Sequence, residues 1–162
     1  LDVLAEAGFR YDSSIFPIRH DRYGVPDAPT VAHLAIGPGG GEILELPPLT
    51  LRAFGVNWPA AGGGYLRLMP TWFIELAVER AGRAGQPGMI YLHPWEFDPD
   101  QPVLPMGILS RWRHRVGLRR TADKLRRLLD RFSFTDVRTQ LKDLQVGVKE
   151  SFSYGGDHQP GF

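Results

Sequence analysis

The segment Tyr91-Leu92-His93-Pro94-Trp95-Glu96-Phe97-Asp98 puts an imidazole where a short apolar run, Met89 to Leu92, stops. Imidazole titrates near neutral pH, so it suits general acid or base work. In parallel α/β folds, functional groups gather beyond the carboxyl ends of strands. Pro94 removes a backbone donor and turns the chain out of any sheet. Trp95 offers a flat indole face with one N–H donor, a fit wall for a sugar or an apolar pocket. Glu96 or Asp98 can orient the imidazole. The same residues also read as a histidine closing a strand beside a core tryptophan. A second polar cluster, Arg10-Tyr11-Asp12-Ser13-Ser14, ends another short strand. Asp12 there can orient a base or bind substrate, and an Asx or Ser turn accounts for the same trio.

Other chemistries find less support. A catalytic zinc site needs about three protein ligands, often two histidines one helical turn apart. The five histidines, His20, His33, His93, His114 and His158, contain no such pair, and His20 beside Asp21 is only a fragment of a site. No G-x-S-x-G elbow is present. The clusters Gly39–Gly41 and Gly62–Gly64 lack the G-K-[ST] continuation and the dinucleotide spacing, so they read as tight turns or as close backbone approach to a ligand. Arg111 to Arg131 holds nine basic and two acidic residues. This stretch is either a solvated helix face with i,i+4 partners or a surface for a polyanion.

The elements that must position these groups follow from periodicity. Leu1, Val3, Leu4 and Ala7 share a helical face that Gly8 stops. The chain therefore opens inside a helix without an N-cap, as a piece of a longer protein would. Phe9 to Ser14 reads as a strand entering a turn. Residues 17 to 41 read as one long loop with a short strand near Thr30 to Ile36. Glu42 to Leu46 forms a strand stopped by Pro47-Pro48, and Leu51 to Trp58 is a further extended segment. Pro70 opens a helix that ends near Gly82 to Gly85. The Met89 to Leu92 run then has the pattern of a strand buried on both faces of a parallel sheet. Thr121 caps a helix running through Phe132. Ser151 to Phe162 reads as a loosely ordered tail.

The chain has 162 residues, 43% hydrophobic and 23% charged, with a net charge of +1. That balance argues against a strongly basic nucleic-acid binder and against an acidic disordered chain. With no cysteine, disulfide frameworks and thiolate metal sites are excluded. No apolar run is long enough for a transmembrane span. The 19 glycines and 14 prolines make up about a fifth of the chain, against ~12% in average usage. The chain is rich in loops, where sites usually sit.

Three separated motifs, Gly8 to Gly24 (GFRYDSSIFPIRHDRYG), Gly62 to Arg67 (GGGYLR) and Tyr91 to Asp98 (YLHPWEFD), together resemble the C-terminal half of polysaccharide deacetylases. More narrowly they resemble the subfamily of exopolysaccharide loci associated with exosortase systems, whose C-terminal extension is catalogued as a domain of unknown function. The likeness runs to about Leu141, which implies that residues 1–141 belong to the deacetylase domain with its extension and 142–162 form a loosely ordered tail. It implies an α/β chain forming the C-terminal portion of a distorted (β/α)7 NodB-type barrel, here with long Gly/Pro-rich loops. It implies a hydrolase of C–N bonds that removes N-acetyl groups from a bacterial exopolysaccharide or its precursor, using a divalent metal such as zinc. His93 matches the family's general acid, which protonates the leaving amine. Asp12 lies near an orienting aspartate, and Tyr91, Leu92 and Trp95 fall on the substrate pocket. Tyr91 stands where family members often carry leucine. The family's metal-holding aspartates and histidines have no counterpart here, so the resemblance implies that this chain by itself binds no metal and deacetylates nothing. Neither nucleic acid nor membrane is implied as a partner, and bacterial cytoplasm and cell envelope are both open. Two rivals come from the residues: a carbohydrate-binding scaffold using Trp58, Trp72, Trp95 and Trp112, and a polyanion module built on Arg111 to Arg131.

Overall fold

The computed structural model describes residues 1–20, 23–102, 105–141, 148 and 150–155. It is a mixed α/β chain whose sheet combines parallel and antiparallel pairs. Two compact units divide it, one formed by Leu1–Pro47 with Asp136–Phe162 and the other by Pro48–Thr135.

The first unit opens with helix α1, Asp2–Glu6. Gly8, at φ +80°, ends it. The Gly8 and Phe9 amides donate back to Ala5 and Leu4 in the pattern that closes a helix on a left-handed glycine. Strands β1 (Tyr11–Asp12), β2 (His33–Ile36) and β3 (Glu42–Glu45) follow, and β6 (Ser151–Ser153) returns from the C-terminal side. The sheet order is β1-β3-β2-β6. β3 runs parallel to β1 and antiparallel to β2, and β6 is parallel to β2. β3 is central, and its Ile43, Leu44 and Glu45 are all buried, as expected of a strand flanked on both sides. The β2–β3 turn folds around the Asp2 carboxylate, which accepts the Gly39 and Gly41 amides at 3.0 and 2.8 Å. Those bonds hold the Asp2 carboxyl below the usual carboxylate range. Two expectations change here. The sheet is mixed rather than parallel, because β2 and β3 form a hairpin. Ser151–Ser153, expected in a loose tail, add a strand because β2 leaves an edge to pair.

The second unit holds a hairpin, β4 (Thr50–Ala53) with β5 (Val56–Pro59), where the sequence suggested one extended segment. Phe54 and Gly55 both have positive φ, the requirement of a two-residue type I′ turn. Helices α2 (Gly63–Leu68), α3 (Thr71–Arg83), α4 (Ile108–Arg115) and α5 (Leu118–Arg131) complete it, with a 3-10 turn at Pro94–Phe97. Leu49, Leu51, Ala60, Ala61, Leu66, Ile74, Ala77 and Leu128 form its core. Glu75 of α3, almost fully buried, is clamped by Arg127 and Arg131 of α5. Gly62–Gly64 is not a turn: Gly62, at φ +86°, ends the approach and Gly63 begins α2. Thr121 does not cap α5. It lies inside the helix, buried, and its hydroxyl donates to the Gly117 carbonyl. The Met89–Leu92 run also departs from expectation. It makes one parallel bridge, Pro48 with Met89, and is half-buried to exposed, since among the described residues no second strand covers its other edge. Ile90 and Leu92 pack against the core instead.

Candidate functional site

His93 stands at the end of that extended run and at the start of the 3-10 turn, with its ring exposed. What holds it is built from below. Gly63 opens α2, and a Cβ there would fall onto the Glu96 carboxylate, so only glycine lets Glu96 reach its place. A Cβ on Gly62 would lie 2.5 Å from the Tyr91 hydroxyl oxygen. Glu96 is 1% exposed. Its Oε2 accepts the backbone N–H of His93 at 3.0 Å, and its Oε1 lies 3.8 Å from Nε of Arg67, one α2 turn beyond Gly63.

Arg67 is also buried. It donates to the carbonyls of Gly63 (3.2 Å), His114 (2.8 Å) and Val116 (3.1 Å). Burial lowers the Arg67 pKa, and the Glu96 charge opposes that shift. The Arg67 guanidinium lies 5.0 Å from the centroid of the Trp95 ring, a cation–π contact. Trp95 stacks on His114 at 4.7 Å. The His93 ring lies parallel to Trp95 at 6.2 Å and edge-on to Tyr91 at 5.8 Å.

The glycine motif at Gly62 to Arg67 and the histidine motif at Tyr91 to Asp98 therefore explain one another. One supplies space and a cation, and the other supplies the carboxylate that fills the space. Glu96 does not orient the imidazole, as the sequence suggested. It fixes the backbone beneath it, because burial next to Arg67 and the His93 amide uses both its oxygens. His93 and Glu96 cap the 3-10 turn reciprocally, each side chain facing the other's backbone amide. Tyr91 and Trp95 flank the His93 ring, and Leu92 turns away into the core.

Asp12 belongs to the other unit. It lies in β1, half-buried, and accepts a hydrogen bond from the Ser14 hydroxyl, the turn contact its sequence context allows. In register beside it on β3 stands Glu45, fully buried. Oε1 of Glu45 accepts the Ile15 amide at 3.0 Å, and Oε2, beside Asp12, makes no hydrogen bond within normal reach of a described residue. Burial, and then the neighbouring Asp12 carboxylate, push the Glu45 carboxyl up to about 8. Glu45 also pairs in register with His33 of β2, whose ring bonds the Tyr154 hydroxyl at 2.8 Å and the Val31 carbonyl at 2.9 Å. The sequence pattern did not mark Glu45, and it marked Gly63 and Arg67 only as members of the glycine motif, with no role for either side chain position. The available signal was glycine at two successive positions before a helix, where a missing Cβ leaves room for a side chain from elsewhere.

Among the described residues, no group of three or more His, Asp or Glu can hold a metal ion. The residues present do not fit a zinc centre, and Asp21, half of the His20–Asp21 fragment, lies outside the described residues. No helix among the described residues is long and apolar enough to cross a membrane.

Residues 13–142 match the family model of the Domain of unknown function (DUF3473). The chain belongs to that family. The DUF3473 span takes in the whole second unit, with His93, Arg67, Glu96 and Gly63, and begins one residue after Asp12. No curated protein and no solved structure shows a significant match to the chain.

Proposed function

We propose that this chain is the C-terminal part of a polysaccharide deacetylase and that His93 is its general acid. The parent enzyme would hydrolyse N-acetyl groups on an exopolysaccharide or its precursor, with the chain as the end of a NodB-type barrel. Cleaving the C–N bond leaves an amine that departs readily only when its nitrogen is protonated. The imidazolium of His93 supplies that proton and becomes neutral imidazole. Tyr91 and Trp95 bound the space around the reacting nitrogen. The divalent metal of this chemistry finds no ligand set among the described residues. In this reading it is held outside these 162 residues, and no step here passes through it.

The observation that carries the reading is a solvent-facing imidazole on a rigid base. His93 is exposed, while its backbone is tied to the buried Glu96–Arg67 pair. A structural histidine would show the opposite, a fully buried ring such as that of His33. In the intact protein that carries this chain, His93→Ala should lower kcat on an N-acetylated oligosaccharide by about 10²-fold or more. KM should change little. An unchanged kcat would refute the assignment.

A further inference from the structure

Arg67, Arg115, Arg119, Arg120, Lys124 and Arg127 line a cavity of about 1000 Å3 in the second unit, facing a single carboxylate, Asp123. The chain as a whole carries a net charge of only +1, so these cations are gathered rather than spread. Gly117 makes the gathering possible. At φ +75° it turns the chain from α4 into α5, and a Cβ there would lie 2.8 Å from the Arg67 carbonyl oxygen.

Four of the six cations have structural work. Arg67 holds the carbonyls of α4 and Glu96. Arg115 donates to the carbonyls of Pro99 and Gln101. Lys124 donates to three carbonyls at the end of α2, those of Leu66, Arg67 and Met69, at 2.9, 2.9 and 2.7 Å. Arg127 pairs with Glu75. Asp123 is taken by Arg126.

Arg119 and Arg120 remain. Both are exposed, and neither side chain makes a hydrogen bond or ion pair with a described residue. Their position works against folding. They occupy the first turn of α5, which carries no acidic residue and no side-chain cap, and there the helix dipole already presents positive charge. Arg120 also repels Lys124, whose pKa is lowered by burial and then by that arginine. Unpaired cations around a concave space are repaid when an anion enters it.

We propose that this cavity binds an acidic oligosaccharide, with carboxylates of uronic-acid-type residues seated on Arg119 and Arg120. The volume is at the upper end for small-ligand pockets, room enough for more than one sugar. Single-stranded nucleic acid is disfavoured because no aromatic side chain lines the cavity for bases to stack on. A duplex is disfavoured because its grooves receive projecting elements, not a concavity. Free phosphate shares the charge but leaves most of the space empty. The inference rests on the deacetylase reading only for the choice of a sugar as the carrier of the charge.

The test is calorimetric titration of the intact protein with an oligogalacturonate, a neutral N-acetylglucosamine oligomer, inorganic phosphate and a single-stranded oligonucleotide. Salt is set at about 50 and about 200 mM. The oligogalacturonate should bind tightest and weaken as salt rises. The double variant Arg119→Ala/Arg120→Ala should weaken it at least tenfold, and Arg120→Glu should do the same as an independent check. Both side chains are exposed and unpaired, so the variants should keep the wild-type melting temperature. Absence of oligogalacturonate binding, binding unchanged in the variants, or tighter binding of phosphate or the oligonucleotide would each overturn the proposal. His93→Ala should leave this binding intact. Full turnover in His93→Ala therefore sinks the deacetylase reading alone, and unchanged binding in the arginine variants sinks this one alone.

Discussion

Glu45 in the first unit and Glu96 in the second are both buried, and the two are stabilised in opposite ways. Glu96 has a cation, Arg67, and the His93 amide for its two oxygens. Glu45 has one backbone amide, no cation, and a second carboxylate beside it in register. A buried carboxyl can stay charged next to a counter-ion, or it can take up a proton. Unit two uses the counter-ion and gains a rigid platform for His93. Unit one uses the proton, and its stability becomes sensitive to pH. A glutamate in a sequence does not announce which role it has. The partner does.

The largest effect should come from removing the cation. Arg67→Ala leaves Glu96 buried without its counter-ion and frees the carbonyls that tie α2 to α4. Loss of one partner of a buried pair costs about 3–5 kcal/mol. Urea unfolding should show that loss, and Arg67→Ala/Glu96→Gln should recover part of it. If Arg67→Ala melts like wild type, the pair is not what holds the His93 base.

The next effect tests the proton. Folded Glu45 keeps its proton to about 8, whereas the ordinary glutamate value is 4.5. Between those values the folded state binds the extra proton, so stability should fall as pH rises through that window. Burial lowers the pKa of His33, so its contribution has the opposite sense and acts only below 6.5, where stability is lost as pH falls. Burial raises the phenol of Tyr154, which keeps it out of the range. Of the three shifted groups of this sheet, Glu45, His33 and Tyr154, only Glu45 changes charge between pH 6.5 and 8. Wild type should lose up to a few kcal/mol across the whole window, and Glu45→Gln should flatten the upper part. A Glu45→Gln curve that still falls from pH 6.5 to 8 would show that the proton is not held there.

The smallest effect separates space from charge. Gly63→Ala puts a methyl where the Glu96 carboxylate lies without removing either charge. Overpacking of this kind costs about 1–3 kcal/mol. Thermal unfolding should place it between wild type and Arg67→Ala. A neutral Gly63→Ala would mean that the helix start yields, and that the glycine motif is there for another reason.

Some of this was legible residue by residue. Helix α1 with its Gly8 stop, helix α3 between Pro70 and Gly82, and β3 ending before Pro47-Pro48 follow from periodicity and from the backbone limits of glycine and proline. The exposed place of His93 also follows, since Pro94 must leave the extended run. Other features were not legible because they are long-range. Whether Met89–Leu92 becomes a buried strand depends on whether other strands flank it, and here it has a single bridge. Pairing of Ser151–Ser153 with β2 joins segments more than a hundred residues apart. Thr121 looked like a cap because its own neighbours suit one, yet Gly117 had already turned the chain into the helix.

Taken alone, the sequence determined the chemistry on offer: an imidazole at a strand-like end, a gathered set of arginines, and glycines where backbones turn. The tertiary structure decided which buried carboxyl meets a cation and which does not, which arginines are spent on carbonyls and which are left for a ligand. Ionisation and pairing depend on water being excluded and on groups from distant segments meeting, and no local spacing encodes either.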